Sequence, residues 1–180
     1  MPFNFKKTTI KDLLIIELQK FGDHRGFFIE RYKKADFLTC GITEDFVQDN
    51  HSFSNKGVLR GIHFQAAPME QGKLVQVISG AVWDVAVYLR QDSPTFGKWY
   101  GTALSGKNCL GIYIPAGFGH GFVTLEDNTH FFYKCTNCYS PEHECGIRWN
   151  DPILNIKWPL SDVVISEKDN KLPYFEETMV

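Results

Sequence analysis

The side chains best suited to chemistry fall in a few short segments. The first, residues 48–65, reads Q-D-N-H-S-F-S-N-K-G-V-L-R-G-I-H-F-Q and carries Arg60 and His63 in a strand-like run. Strand alternation sets Leu59, Gly61 and His63 on one face and Arg60, Ile62 and Phe64 on the other. His63 is then either a core histidine bonded to a backbone carbonyl or a general base, since imidazole titrates near pH 7 without help. For Arg60 and His63 to share a pocket, Gly61 must permit a twist or bulge. A second segment, G-I-Y-I-P-A-G-F-G-H-G-F at 111–122, is broken by Pro115, Gly117, Gly119 and Gly121, which predict a tight turn presenting His120. Lys73 opens a strand face shared with Val75 and Val77, where an ammonium must meet an anion or snorkel to the rim. Tyr133 shares an inward face with Phe131 and Cys135. Asp169 closes Ser166-Glu167-Lys168-Asp169, which also reads as a helix N-cap box.

These groups need a rigid frame, and the chain is built to supply one. Its 180 residues are 43% apolar, enough for one domain with a real core. Phe 15, Tyr 7 and Trp 4 make an aromatic excess that fits a β-rich core or a stacking site. Short β-branched and aromatic runs at 12–18, 27–32, 46–54, 58–65, 73–79, 81–89, 98–104, 110–114, 121–125 and 129–136 alternate with turn signals, and helix is confined to 34–39 and 160–170. The pattern predicts an all-β sandwich or jelly roll over residues 1–180. Within it, 1–50 hold the first strands, 51–150 the densest β pattern and 151–180 a tail. With Lys and Arg 19 against Asp and Glu 21, the net charge is -2, and there is no basic stripe for nucleic acid. There is no signal-peptide pattern and no apolar run of membrane-spanning length. Five cysteines without an export signal predict reduced, buried thiols and a cytoplasmic protein. Cys135 and Cys138, with His143 and Cys145 nearby, make only a weak zinc-knuckle pattern, because 135–138 continues a strand.

The P-x-G-x-x-H arrangement ending at His120 also occurs in cupin jelly rolls, where the histidine ligates a metal. A metal cupin further requires an H-x-H pair, and here His63 is followed by Phe64 and Gln65. Two isolated imidazoles rarely hold a transition metal, so the pattern is a cupin shape without its metal. The motifs D-H-R-G-F-F-I-E at 23–30, 48–65 as quoted, Q-G-K-L-V-Q-V at 71–77, P-A-G-F-G-H-G-F at 115–122, Y-K-C-T at 133–136 and S-E-K-D at 166–169 occur in one order along nearly the whole chain. In this the sequence resembles the dTDP-4-dehydrorhamnose 3,5-epimerases, metal-independent jelly-roll enzymes of deoxysugar synthesis.

The resemblance implies a cupin-like jelly roll (a double-stranded β-helix) that needs no cofactor. It implies that His63 is the general base, kept basic and oriented by Asp169, and that Tyr133 is the acid on the opposite face. Lys73 would stabilise the enolate, and Arg60, His120, Gln48 and Asn50 would hold the sugar and diphosphate. It further implies that Arg25, Phe28 and Glu30 reach across a homodimer to the nucleotide bound by the partner chain. Relatives carry an aromatic residue where this chain has Cys138, and the adjacent Tyr139 is the candidate to replace it in the sugar pocket.

The chemistry of the residue types agrees. A proton beside a ketone yields to imidazole only if the developing enolate is stabilised, and an ammonium at the carbonyl oxygen does that. Inversion removes a proton from one face and returns it to the other, so base and acid must differ. A diphosphate calls for a guanidinium. Other readings are a related 4-keto nucleotide sugar such as a GDP-linked heptose, inversion at C3 alone, a metal-dependent cupin, or a non-catalytic nucleotide-sugar-binding module that needs neither His63 nor Tyr133.

Overall fold

The computed structural model describes residues 2–178. In chain order the strands are β1 (Phe3–Lys7), β2 (Leu14–Leu18), β3 (Lys20–Asp23), β4 (Gly26–Ile29), β5 (Gln48–Ser54), β6 (Leu59–Gln65), β7 (Lys73–Ser79), β8 (Ala81–Tyr88), β9 (Trp99–Ser105), β10 (Leu110–Ile114), β11 (Phe118–Thr124), β12 (Thr129–Cys135) and β13 (Glu144–Gly146). Three short helices accompany them: α1 (Lys34–Thr39), α2 (Glu167–Asn170) and α3 (Phe175–Thr178). Six strands form one antiparallel sheet in the order β1-β2-β10-β7-β12-β5, five form a second in the order β13-β6-β11-β8-β9, and β3-β4 stand apart as a hairpin. This is an all-β jelly roll with short peripheral helices, one of the two forms that the strand spacing predicts, and it has the cupin-like form that the resemblance implies.

The inner core fills the space between the sheets. Val75, Val77, Ile112 and Phe131 of the first meet Val82, Ala86, Leu104, Phe118 and Phe122 of the second. Each such side chain contributes roughly 1.5–3 kcal/mol by leaving water. The outer faces are covered too. Phe37 and Ile42, in and after α1, pack with Phe3, Ile16, Leu74 and Tyr113 outside the first sheet. Ile147, Leu154 and Phe175 cover Ile62, Val85 and Val87 outside the second. Strands buried on both faces lose clean alternation, which is why β7 and β8 read as continuous apolar runs.

Local corrections to the sequence reading follow from tertiary pairing. β1, β3 and β13 carry too weak a pattern to be read alone and exist because β2, β4 and β6 pair with them. The strand expected at 27–32 is shorter, Gly26–Ile29. The helix expected at 160–170 shrinks to Glu167–Asn170, because Val164 is drawn into a bridge with Val58. β12 ends at Cys135, so 135–138 is not one strand; only Cys109 and Cys135 are buried as expected, while Cys40 and Cys145 are partly exposed and Cys138 is exposed. All five cysteines are free thiols.

The main departure lies where β6 meets β11. His63 faces His120 and Arg60 faces Phe122, so Gly61 and Ile62 together oppose Gly121. That bulge inserts one residue and reverses the parity downstream, placing Arg60 and His63 on one face. It requires glycine. Gly61 has φ +112°, and a Cβ there would lie 2.6 Å from the Gly121 Cα and 2.7 Å from the His120 carbonyl oxygen.

Candidate active site

A cavity of about 570 Å³ lies beside the bulge, lined by Arg60, His63, Lys73, His120, Tyr133 and Asp169 among others. A smaller cavity of about 150 Å³ adjoins it and is lined by Gln48, Asn50, Tyr139 and Glu144. His63, Lys73 and Tyr133 border both. The three therefore stand where the two spaces meet, two of them from the first sheet and one from the second.

Asp169 is fixed before it meets His63. Ser166 caps α2, its Oγ accepting from the Asp169 N–H at 3.0 Å, so the S-E-K-D segment is a helix cap and a site element at once. One carboxylate oxygen lies 3.0 Å from His63 Nε2, and the other accepts from the Gly61 N–H at 3.1 Å. Burial opposes ionisation of Asp169, but the His63 hydrogen bond and charge, with the Gly61 and Ser166 contacts, outweigh it and hold the carboxyl below its usual range. An ionised carboxylate only accepts, so Nε2 carries the proton and Nδ1 of neutral His63 is a free lone pair. Nδ1 in turn lies 3.4 Å from Glu144 Oε1.

Lys73 does not snorkel. Its residue is 8% exposed, and Nζ is 3.5 Å from the His63 carbonyl oxygen. Burial pushes the ammonium's pKa down, while the nearby Cys135, Asp84 and Glu144 partly offset this. A buried ammonium of lowered pKa is a strong donor for a developing oxyanion. Tyr133 is held the other way: burial first, and Cys135 second, raise its hydroxyl pKa, with Arg60 pulling against them. It is a protonated acid at neutral pH.

His120 lies within β11 and not in a turn, because Gly119 and Gly121 pair along β8 and only 115–117 form the connection. Its Nε2 is 2.9 Å from Asp84 Oδ2, and its ring stacks on Phe131. Arg60 is steadied by Ser54 Oγ at 3.3–3.4 Å. Gln48 and Asn50 bond to each other at 3.0 Å, and Gln48 also accepts from the Tyr139 N–H at 2.8 Å. The structure thus divides the expected substrate-binding residues. Arg60 and His120 serve the larger cavity, and Gln48, Asn50 and Tyr139 the smaller.

Arg25, Phe28 and Glu30 are not brought to either cavity within this chain. Arg25 and Phe28 lie on the β3-β4 hairpin, where Arg25 pairs with Asp23 and Phe28 is 63% exposed. Asp84, Glu144 and Lys168 were given no role by sequence reasoning. Asp84 has a legible signal, a lone acid in an apolar β run, whereas Glu144 becomes visible only when β13 pairs with β6. Lys168 sits inside a quoted motif and bonds both Glu144 oxygens at 2.7 Å. Among the described residues no group of three or more His, Cys, Asp or Glu side chains is arranged to hold a metal, and no helix is long and apolar enough to cross a membrane.

The comparisons with known proteins agree with one another. A family model described as dTDP-4-dehydrorhamnose 3,5-epimerase matches residues 7–177. The enzyme of that name from Shigella flexneri is 51% identical over 167 residues, 92% of each chain. The crystal structure of the Elizabethkingia anophelis enzyme covers 100% of both chains at TM-score 0.94 and 45% identity. That of a dTDP-6-deoxy-D-glucose-3,5-epimerase from Legionella pneumophila, in complex with dTDP-4-keto-L-rhamnose, covers 97% of this chain and 93% of its own at TM-score 0.94 and 48% identity.

Proposed function

We infer the division of labour at this site from the premise that the chain belongs to the dTDP-4-dehydrorhamnose 3,5-epimerase family. It is an enzyme that epimerises C3 and C5 of a dTDP-linked 4-keto-6-deoxy hexose. The observation carrying the assignment of roles is the convergence of His63, Lys73 and Tyr133 at the junction of two cavities.

In this reading His63 Nδ1 removes the proton from a carbon beside the C4 ketone. The C–H electron pair moves into the enolate, and the oxygen's charge is met by the Lys73 ammonium. Tyr133 then gives its proton to the opposite face, the enolate collapses to the ketone, and the centre is inverted. Asp169 keeps His63 in the required tautomer and balances the imidazolium that forms. C3 and C5 both flank the ketone, so one base and one acid serve both after the sugar shifts. Arg60 and His120 hold the anionic part of the substrate from the larger cavity, with Gln48, Asn50 and Tyr139 opposite.

The test is exchange in heavy water, with deuterium measured separately at C3 and C5 of the substrate. Wild type should incorporate at both carbons and His63→Asn at neither. Persistent exchange in His63→Asn would overturn the assignment of the base.

We also propose a homodimer of this single domain, residues 1–180, in the cytoplasm. Its support is the β3-β4 hairpin, where Phe21, Phe27 and Phe28 are 47%, 57% and 63% exposed beside Arg25, an apolar patch with no partner in its own core. Residues 1–50 would reach the partner's nucleotide through Arg25, Phe28 and Glu30. Mixing His63→Asn with Phe28→Ala subunits tests this, since only a crossed arrangement builds one intact site and restores activity.

A further inference from the structure

Two successive inversions by one base and one acid impose a proton balance that His63, Lys73, Tyr133 and Asp169 do not close by themselves. Each inversion moves one proton from carbon to His63 and one from Tyr133 to carbon. It leaves an imidazolium and a phenolate, with no change in net charge. Before the second carbon can react, His63 must lose its proton and Tyr133 must regain one. No hydrogen bond joins the two among the described residues, and they belong to opposing sheets.

The neighbour of His63 that faces Nδ1 is Glu144, at 3.4 Å. This contact has no use in the neutral imidazole, whose Nδ1 lone pair would meet another acceptor. It becomes a hydrogen bond only when Nδ1 is protonated, and a shift of a few tenths of an ångström brings it to full strength. Glu144 is also connected outward. Tyr139, half exposed, donates to its Oε2 at 2.6 Å, and Lys168, largely exposed, donates to both oxygens at 2.7 Å. The carboxylate therefore joins the half-buried base to two groups in contact with water.

We propose that Glu144 is the proton exit of His63: between the two inversions it takes the proton from Nδ1 and passes it to solvent, while Tyr133 regains one from water in the cavity. Glu144 acts through His63 Nδ1, so its role is that of a relay and not of the base. The inference rests on the reading that one base serves both carbons. The hydrogen bonds from Lys168 and Tyr139 outweigh burial and keep the Glu144 carboxyl below its usual range, so it holds the proton only briefly. Brief occupancy suits a relay, because the step need only outrun turnover at about 1–10³ s⁻¹.

The experiment measures deuterium incorporation at C3 and C5 of dTDP-4-keto-6-deoxyglucose in heavy water, before products rebind, for wild type, Glu144→Gln and Glu144→Ala. Glu144→Gln keeps the side chain's shape and can still bond Tyr139. The carbon that exchanges first should slow far less than the second, which should slow by roughly 10²-fold, the lower end of the range for a lost proton-transfer partner. Singly inverted sugar should accumulate, and formate, small enough for the space left in Glu144→Ala, should restore the second exchange. An unchanged ratio of the two exchanges would overturn the relay, as would equal slowing at both carbons without formate rescue, which marks a merely structural role. Absence of exchange at either carbon in wild type would sink the epimerase reading itself, and the relay with it.

Discussion

Two histidine–aspartate pairs face each other across β6 and β11, nearly identical in geometry and different in environment. His63 and Asp169 are 3.0 Å apart with side chains 29% and 8% exposed, and His120 and Asp84 are 2.9 Å apart at 7% and 0%. Only the first borders both cavities, and only the first has a second carboxylate at its other nitrogen. The second is locked between β8, β11 and the stacked Phe131, with Asp84 Oδ1 lacking a hydrogen-bond partner among the described residues. A base must gain and lose protons, which needs a route to water. A ligand-holding imidazole needs only a fixed direction. Under the proposed roles, the same dyad does different work according to what surrounds it.

The sharpest way to break this comparison is to remove each imidazole. His63→Asn should lower turnover by roughly 10³–10⁴-fold, as for loss of a general base. His120→Asn should lower kcat/KM by roughly 10- to 100-fold, the scale of one hydrogen bond to a charged group. Equal losses in steady-state kinetics would erase the distinction. Next in size, Tyr133→Phe should abolish inversion by roughly 10²–10³-fold and still allow His63 to exchange protons on one face, so NMR in heavy water would show label without inversion. Its pH dependence has a definite sign. Burial raises the Tyr133 pKa, so the acid form persists to higher pH than in free tyrosine, and inversion should decline only above about pH 10.

A smaller effect separates the carboxylates. Asp84→Ala leaves the His120 Nε2 buried without a partner, at a cost of about 1–3 kcal/mol. At roughly 2–4 °C per kcal/mol for a chain of this size, thermal unfolding should shift by several degrees. Asp169→Ala should shift it less, since water reaches His63. The smallest effect is in acid. Because the folded-state pKa of Asp169 is depressed, its stabilisation is present above the unfolded value of about 3.9 and is lost as pH falls through the lower folded value. Asp169→Asn should therefore flatten the acid limb of a stability curve.

How much of this was legible depended on the range of the interaction. Strands whose apolar runs are bounded by Gly, Pro or Asp could be read locally, and so could the Ser166 cap. β13 could not, since a three-residue strand exists only through its partner. The position of His120 was misread because glycines that look like turn signals are here required by close packing: a Cβ on Gly119 or Gly121 would lie 2.6–2.7 Å from Ile62 side-chain atoms.

Residue types and motif order determined the all-β class, the family and the set of groups able to move a proton, because those depend on chemistry and on short-range periodicity. Tertiary structure alone decided which groups meet. The bulge at Gly61 is a mismatch between two strands, and it is what turns Arg60 and His63 to one face. Glu144 reaches Nδ1 through an edge strand 81 positions away in sequence, since 144 less 63 is 81. Burial and the second carboxylate, which set His63 apart from His120 and support the proposed roles of base and clamp, are not properties of any single segment.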